Sequence, residues 1–183
     1  MVKRLYTFPK LSVYGASLRG PVFNNSAIMF SEFSYYYSKE NEYGRKAGIK
    51  PNQIRWVVGY KQEIQKNLTM ILQYYLKSIQ QYTNYHTNLT NKKIAKDHHR
   101  HIVTINLIKK IPNNNLYLSL YNYYSTNYKD GYLRLNATYK ITNLFDSAIG
   151  GNFFYGNKDH TFFSQFRKNN NVYASLRYGF SND

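Results

Sequence analysis

Alternation with a period of two residues runs along most of this chain, and it restricts the fold to strands with one apolar face. The segment from Ile54 to Ile64 is the clearest instance. Ile54, Trp56, Val58, Tyr60 and Ile64 fall on even positions, whereas Arg55, Gly59, Lys61 and Glu63 fall on odd ones. After the polar link Gln65-Lys66-Asn67 the pattern resumes, with Leu68, Met70, Leu72, Tyr74 and Leu76 opposed to Thr69, Gln73, Tyr75 and Lys77. Together they predict a β-hairpin. A second hairpin follows from Val103, Ile105 and Leu107, the turn Pro112-Asn113-Asn114-Asn115, and Leu116, Leu118 and Leu120. Lys129-Asp130-Gly131 supplies a further turn signal. Beyond it, Leu133, Leu135, Ala137, Tyr139 and Ile141 alternate with Tyr132, Arg134, Asn136, Thr138 and Lys140. Ile149, Gly151, Phe153 and Tyr155 continue the series, and the last strand sets Val172, Ala174, Leu176, Tyr178 and Phe180 against Tyr173, Ser175, Arg177 and Gly179.

With two weaker strands at about 11–19 and 27–37, the chain predicts an all-β, antiparallel up-and-down meander of about nine strands in a single domain spanning 1–183. Connections near 20–26, 65–67, 112–115 and 142–146 are short, while those near 38–53, 83–99 and 156–171 are long, polar and rich in Lys, Asn and His. The turn at 127–131 is the exception. Alternating short and long connections between strands of roughly ten residues suit a transmembrane β-barrel, with short periplasmic turns and long outer loops. Tyr35, Tyr60, Tyr74, Tyr124, Tyr155 and Tyr178 stand near strand ends, where aromatic girdles sit between hydrocarbon and water.

Composition narrows the alternatives. Lys and Arg number 25 against 9 Asp and Glu, for a net charge of +16, and 21 of the 183 residues are Tyr. So many amphipathic rings are hard to place in a soluble core. Three classes remain: a nucleic-acid binder, a surface protein, or a membrane barrel. Cys is absent, which removes disulfide frameworks, Cys-based zinc sites and thiol nucleophiles. The longest apolar runs are only a few residues, too short for a membrane-spanning helix. Lys10, Ser12 and Arg19 interrupt any signal-peptide-like run at the start, so an exported protein would have its targeting segment elsewhere.

A soluble antiparallel sandwich would show the same alternation, its apolar faces turned onto an inner core. The opposing reading is one sheet with its apolar face outward: charge concentrates on the polar positions, and the other face lacks it almost completely over seven strands. Cations interleaved with Tyr and Phe also permit single-stranded nucleic-acid binding. Against this, they are spread along alternate strand positions and loops rather than clustered, so no specific nucleic-acid partner is expected.

The stretches LSVYGASLRGP, IRWVVGYKQEIQKNLTMILQYYL and NFFYGNKDHTFFSQFRKNNNVYASLRYGF resemble the C-terminal part of bacterial outer-membrane porin-like barrels of the alginate-export and related uncharacterised types. That resemblance implies a bacterial outer-membrane location, a lipid-bilayer environment and a barrel-assembly machinery as partner. It also implies that the terminal strand, with Tyr178 and Phe180, is the assembly signal. Ser181-Asn182-Asp183 follow that Phe, a departure from the pattern. Barrels of this kind close with even strand numbers. An odd count therefore predicts a fragment of a larger barrel, or a tenth strand partly held by Met1 to Pro9.

The polar positions nominate Arg19, Glu32, Arg55, Lys61, Glu63, Lys77, Arg134, Lys140 and Arg177 as lumen-lining residues. Their cationic excess predicts a passive channel favouring anionic solutes or acidic saccharides. The rival class is a soluble or surface β-sheet module that binds nucleic acid or anionic polysaccharide. Asp97-His98-His99-Arg100-His101 is the densest candidate metal cluster, but only His99 and His101 share a face and no carboxylate completes a site. Lys158-Asp159-His160-Thr161 lacks an accompanying nucleophile, so neither catalysis nor a cofactor is expected. The Asn-x-Thr matches at Asn67, Asn88 and Asn136 are expected by chance in so Asn-rich a chain.

Overall fold

A computed structural model describes residues 8–90, 92 and 95–180. Its described strands form one antiparallel sheet in chain order, β1 to β9. They are β1 (Leu11–Val22), β2 (Ala27–Ser38), β3 (Gln53–Gln65), β4 (Leu68–Ile79), β5 (His99–Ile111), β6 (Leu116–Ser125), β7 (Asp130–Lys140), β8 (Phe145–Tyr155) and β9 (Asn171–Tyr178). Every pairing joins sequence neighbours, so the all-β meander read from the sequence is the fold. The sheet is open. Among the described residues β1 pairs only with β2 and β9 only with β8, so these strands do not close into a barrel.

Asparagine sets several of the turns. Asn24, Asn25, Asn67 and Asn115 all take positive φ, a conformation that a short polar side chain tolerates better than most. Each lies in a tight connection at the same end of the sheet. At the other end the connections are long, apart from 126–129, and buried amides organise the first. The Asn41 side chain donates to the Lys46 and Ile49 carbonyls at 3.1 and 2.6 Å and accepts from the Lys46 N–H at 2.9 Å. Asn52 accepts the Ser38 N–H at 2.8 Å. The second long connection contains a short helix, α1 (Tyr82–Thr87).

Three expectations shift in detail. β5 begins at His99, four residues before its expected start, so His99 and His101 both belong to the strand. β9 ends at Tyr178, which leaves Phe180 beyond the strand and 88% exposed. The connection at 156–171 is not simply polar. Phe162, Phe163 and Phe166 fold back across the sheet, and Ser164–Asn169 form a short 3-10 helix against β8. The suggested tenth strand at Met1 to Pro9, and Ser181-Asn182-Asp183, lie mostly or wholly outside the described residues.

Directly opposed residues of an antiparallel pair share a face, so the register divides the whole sheet. One face carries Leu18, Met29, Phe33, Trp56, Leu72, Ile105, Leu118, Leu135, Ile149, Val172 and Leu176. All are exposed. Among the described strand residues its only Lys, Arg, Asp or Glu is Lys109, near a short turn. No second layer covers this face among the described residues. Apart from Ala27 beside the first short turn, most of the buried groups lie toward the long-connection end, among them Ile79, Ile102, Thr104, Ser125, Asp130 and Phe163.

Candidate functional site

All nine residues nominated from the alternation lie on the other, polar face. Arg19 stands across from Phe30, and Glu32 across from Ser17 and Val57. Arg55, Lys61 and Glu63 oppose Lys77, Ile71 and Thr69. Arg134 opposes Tyr121 and Asn152; Lys140 opposes Asp146, which in turn opposes Arg177. This is a statement of register: a shift of one residue in any strand would have moved its candidates to the apolar face.

Polar networks fill the space between them. Tyr173 lies across Gly150, where an added Cβ would sit 2.5 Å from its hydroxyl and 2.6 Å from the Leu135 carbonyl oxygen. Across that bare backbone the Tyr173 hydroxyl accepts from Asn136 Nδ2 at 2.9 Å and Arg134 Nη2 at 3.3 Å. Tyr132 donates to Asn152 Oδ1 at 2.6 Å, and Asn152 Nδ2 donates to Asn171 Oδ1 at 2.9 Å. Tyr121 donates to Tyr123. Tyrosines unsuited to a dry core are accommodated here, with hydroxyls joined to amides and to each other.

Near the long connections this face is partly roofed. The Phe163 N–H donates to Asp130 Oδ2 at 2.7 Å, and the Phe163 ring packs on Tyr123 and Tyr132. Phe166 packs on Phe154. Gly156, at φ +147°, lies where any side chain would collide with Ser164 Oγ and the Asp130 Cβ, so the connection enters the face at a point only glycine fits.

At the same end of the sheet the register places three cations side by side. Arg55 on β3 opposes Lys77 on β4, and Lys77 opposes Arg100 on β5. Neighbouring strands lie roughly 4.8 Å apart, and like charges directly opposed are unfavourable. The Arg55 guanidinium partly escapes toward β2, stacking 3.8 Å from the Tyr36 ring centroid and donating to Gln53 Oε1 at 3.1 Å. The Arg100 guanidinium carbon lies 5.4 and 5.3 Å from the Tyr128 and Phe162 ring centroids. Its Nε and Nη2 are buried without a hydrogen-bond partner. Lys96, from the second long connection, titrates below the ordinary lysine range. Withdrawal of its ammonium from water is the larger cause; the charges of Lys50, Arg100 and Arg55 add to it.

Sequence reasoning missed Arg100, which was read as part of a histidine cluster, and Lys96 and Lys50, which lie in loops. The signal for Arg100 was available: it is the alternation partner of Ile102 and Thr104, once β5 is extended back to His99. The histidines do other work. His98 stacks on His99 and on Tyr82, with centroids at 3.8 and 4.9 Å, and the Tyr74 hydroxyl bonds to His101 Nδ1 at 2.6 Å. No group of three or more potential ligands for a metal occurs among the described residues. Of the Tyr residues expected near strand ends, Tyr35, Tyr124, Tyr155 and Tyr178 are there, whereas Tyr60 and Tyr74 lie well inside β3 and β4; all fall on the apolar face. Tyr74, Tyr124 and Tyr155 stand at one level, linked through Val103 and Gly131.

Neither the known protein families nor the characterised proteins contain a match to this chain.

Proposed function

We propose that this chain forms the wall of a transmembrane β-barrel in the bacterial outer membrane, a passive channel whose polar face lines water and favours small anionic solutes or saccharides. One observation carries the reading. Across nine consecutive strands, one face holds a single strand-borne charge, Lys109, and is bare, while the other collects the nominated charges and the tyrosine–amide networks. An apolar face this wide with no protein layer over it is unstable against water and needs another solvent or a partner. Hydrocarbon meets that need, and the strands, at 8 to 13 residues, are of the length that crosses it.

In hydrocarbon an unpaired strand edge leaves its N–H and C=O groups unsatisfied. The reading therefore requires the outer edges of β1 and β9 to be paired in the membrane. The tyrosine level at Tyr74, Tyr124 and Tyr155 would mark the outer interface, and Tyr139, Tyr178 and Phe145 the inner one. Tyr178 and Phe180 remain the proposed signal to the assembly machinery.

Reconstitution into planar bilayers tests the proposal. Discrete conductance steps with a reversal potential displaced toward the anion equilibrium value in a salt gradient are expected. Protein that stays soluble and monomeric without detergent and binds oligonucleotide with a steep salt dependence would instead establish the binding-module reading.

A further inference from the structure

We propose that a pocket at the long-connection end of the polar face, bounded by Lys77, Lys96 and Arg100, binds a doubly charged oxyanion of the phosphoryl type. It deepens the channel reading and rests on it in one respect, that this face is open to water.

The pocket has a volume of about 200 Å³. Its lining includes three cations, Lys77, Lys96 and Arg100, and the Tyr128 and Phe162 rings that lie against Arg100. Asp97 is the carboxylate in its wall, and its backbone N–H donates to the Tyr128 hydroxyl at 2.9 Å. The balance of charge in the wall is strongly positive. Lys77 and Arg100 are fixed in place by the ladder, directly opposite each other, so they cannot separate by more than side-chain rotation allows.

The second observation is independent of that charge count. Two guanidinium nitrogens of Arg100, Nε and Nη2, are buried and unpartnered. A buried donor without an acceptor is destabilising, and one on a charged group more so. Nε and one Nη together are the pair that grips two oxygens of a single anion side by side. The Tyr128 and Phe162 rings beside it restrict the guanidinium, so less freedom is lost when an anion arrives.

The chemistry of the wall selects the anion. A monocarboxylate offers two oxygens and one charge, which satisfies the fork but leaves the charges of Lys77 and Lys96 unmatched. A phosphoryl dianion offers three oxygens and close to two charges. Arg100 can take two oxygens and the two ammonium groups can share the third. Phe162 and Ile79 give the apolar side on which the organic part of a phosphate ester would rest. Phospholipid headgroups have the same chemistry, but they would gather on the opposite, apolar side of the wall, so free phosphate or a soluble ester is the source we assign.

The test uses the full chain folded in a maltoside detergent, which contains no phosphate, with inorganic phosphate as the probe. Calorimetric titration should show saturable binding, at least about tenfold tighter than acetate, since two further charge-assisted hydrogen bonds are made. Arg100→Gln should weaken phosphate binding by about tenfold or more, and Lys96→Gln by a smaller factor. Lys66→Gln, at a short turn on the far end of the sheet, should leave it unchanged. Adding phospholipid vesicles should not compete. If Arg100→Gln fails to fold, Lys96→Gln, in a connection, carries the test alone. The proposal is overturned if binding does not saturate in the millimolar range, if acetate binds as well, if vesicles displace phosphate, or if neither variant weakens it. Channel conductance is read separately. Anion-selective steps without phosphate binding remove the pocket and keep the channel; Arg100-dependent phosphate binding without conductance does the reverse.

Discussion

Two rungs on the polar face, each crossing three adjacent strands, carry charge in opposite ways. At the short-turn end Lys140, Asp146 and Arg177 stand in a row on β7, β8 and β9, with signs alternating. At the long-connection end Arg55, Lys77 and Arg100 stand in a row on β3, β4 and β5, all positive. The first arrangement stabilises its own strand pairing and calls for no further explanation. The second opposes its strand pairing; among the described residues the ion pair present is Arg167 with Asp159, in a connection, so neither rung is closed by a side-chain ion pair and the difference between them is the sign pattern. Sheet architecture accounts for one rung, and an external anion accounts for the other.

The comparison presumes that both rungs face water, and the largest expected effect comes from breaking that presumption. Leu135→Arg, which puts a charge on the exposed apolar face one residue from Arg134, should cost about 2–4 kcal/mol in a lipid-folding titration. Arg134→Leu should change stability by less than about 1 kcal/mol and shift ion selectivity instead. Equal tolerance of both substitutions would dissolve the distinction between the faces. Next in size are exchanges of charge pattern. Asp146→Lys makes the alternating rung all positive and should destabilise it by about 1 kcal/mol in the same titration. Lys77→Glu makes the homopolar rung alternate; it should stabilise by a similar amount, about 1 kcal/mol, while abolishing phosphate binding and reducing anion preference. A stability loss from Lys77→Glu would contradict the account of that rung.

The smallest effect is in pH. Lys96 has a folded-state value below the ordinary 10.5, whereas the unfolded chain keeps the ordinary one. Between the two, the unfolded state holds a proton that the folded state has released, so stability should rise with pH across that window. Lys96→Met should flatten the slope. The groups acting on Lys96 are Lys50, Arg100 and Arg55, all cations, so a bound phosphate should hold the proton on it and weaken in affinity as pH rises through the same window.

The fold was legible because period two is a local property. Each alternating segment in the sequence is a strand, and each Asn-rich gap at the short-turn end is a tight turn. The assignment of Arg19, Glu32, Arg55, Lys61, Glu63, Lys77, Arg134, Lys140 and Arg177 to one face follows from the same local rule. What local pattern cannot supply is register between strands, and the homopolar rung is a register fact: Arg55 and Arg100 are 45 residues apart and meet only through Lys77. The inward fold of Phe162, Phe163 and Phe166 was illegible for a related reason. Their partners, Tyr123, Tyr132 and Phe154, lie on a face that alternation marks only as polar, because tyrosine reads as polar or apolar according to its surroundings.

Trp56 allows the central claim to be measured with one probe. It is the only tryptophan in the chain, lies on the apolar face opposite Phe33 and Leu76, and is 39% exposed. Its Nε1 donates to Ser31 Oγ at 2.8 Å, which satisfies the polar atom without water. In vesicles whose acyl chains carry bromine, the account predicts strong quenching of Trp56 fluorescence and little quenching by aqueous acrylamide. Ready quenching by acrylamide with no effect of the brominated lipid would show that this face meets water or protein, and would contradict the membrane wall.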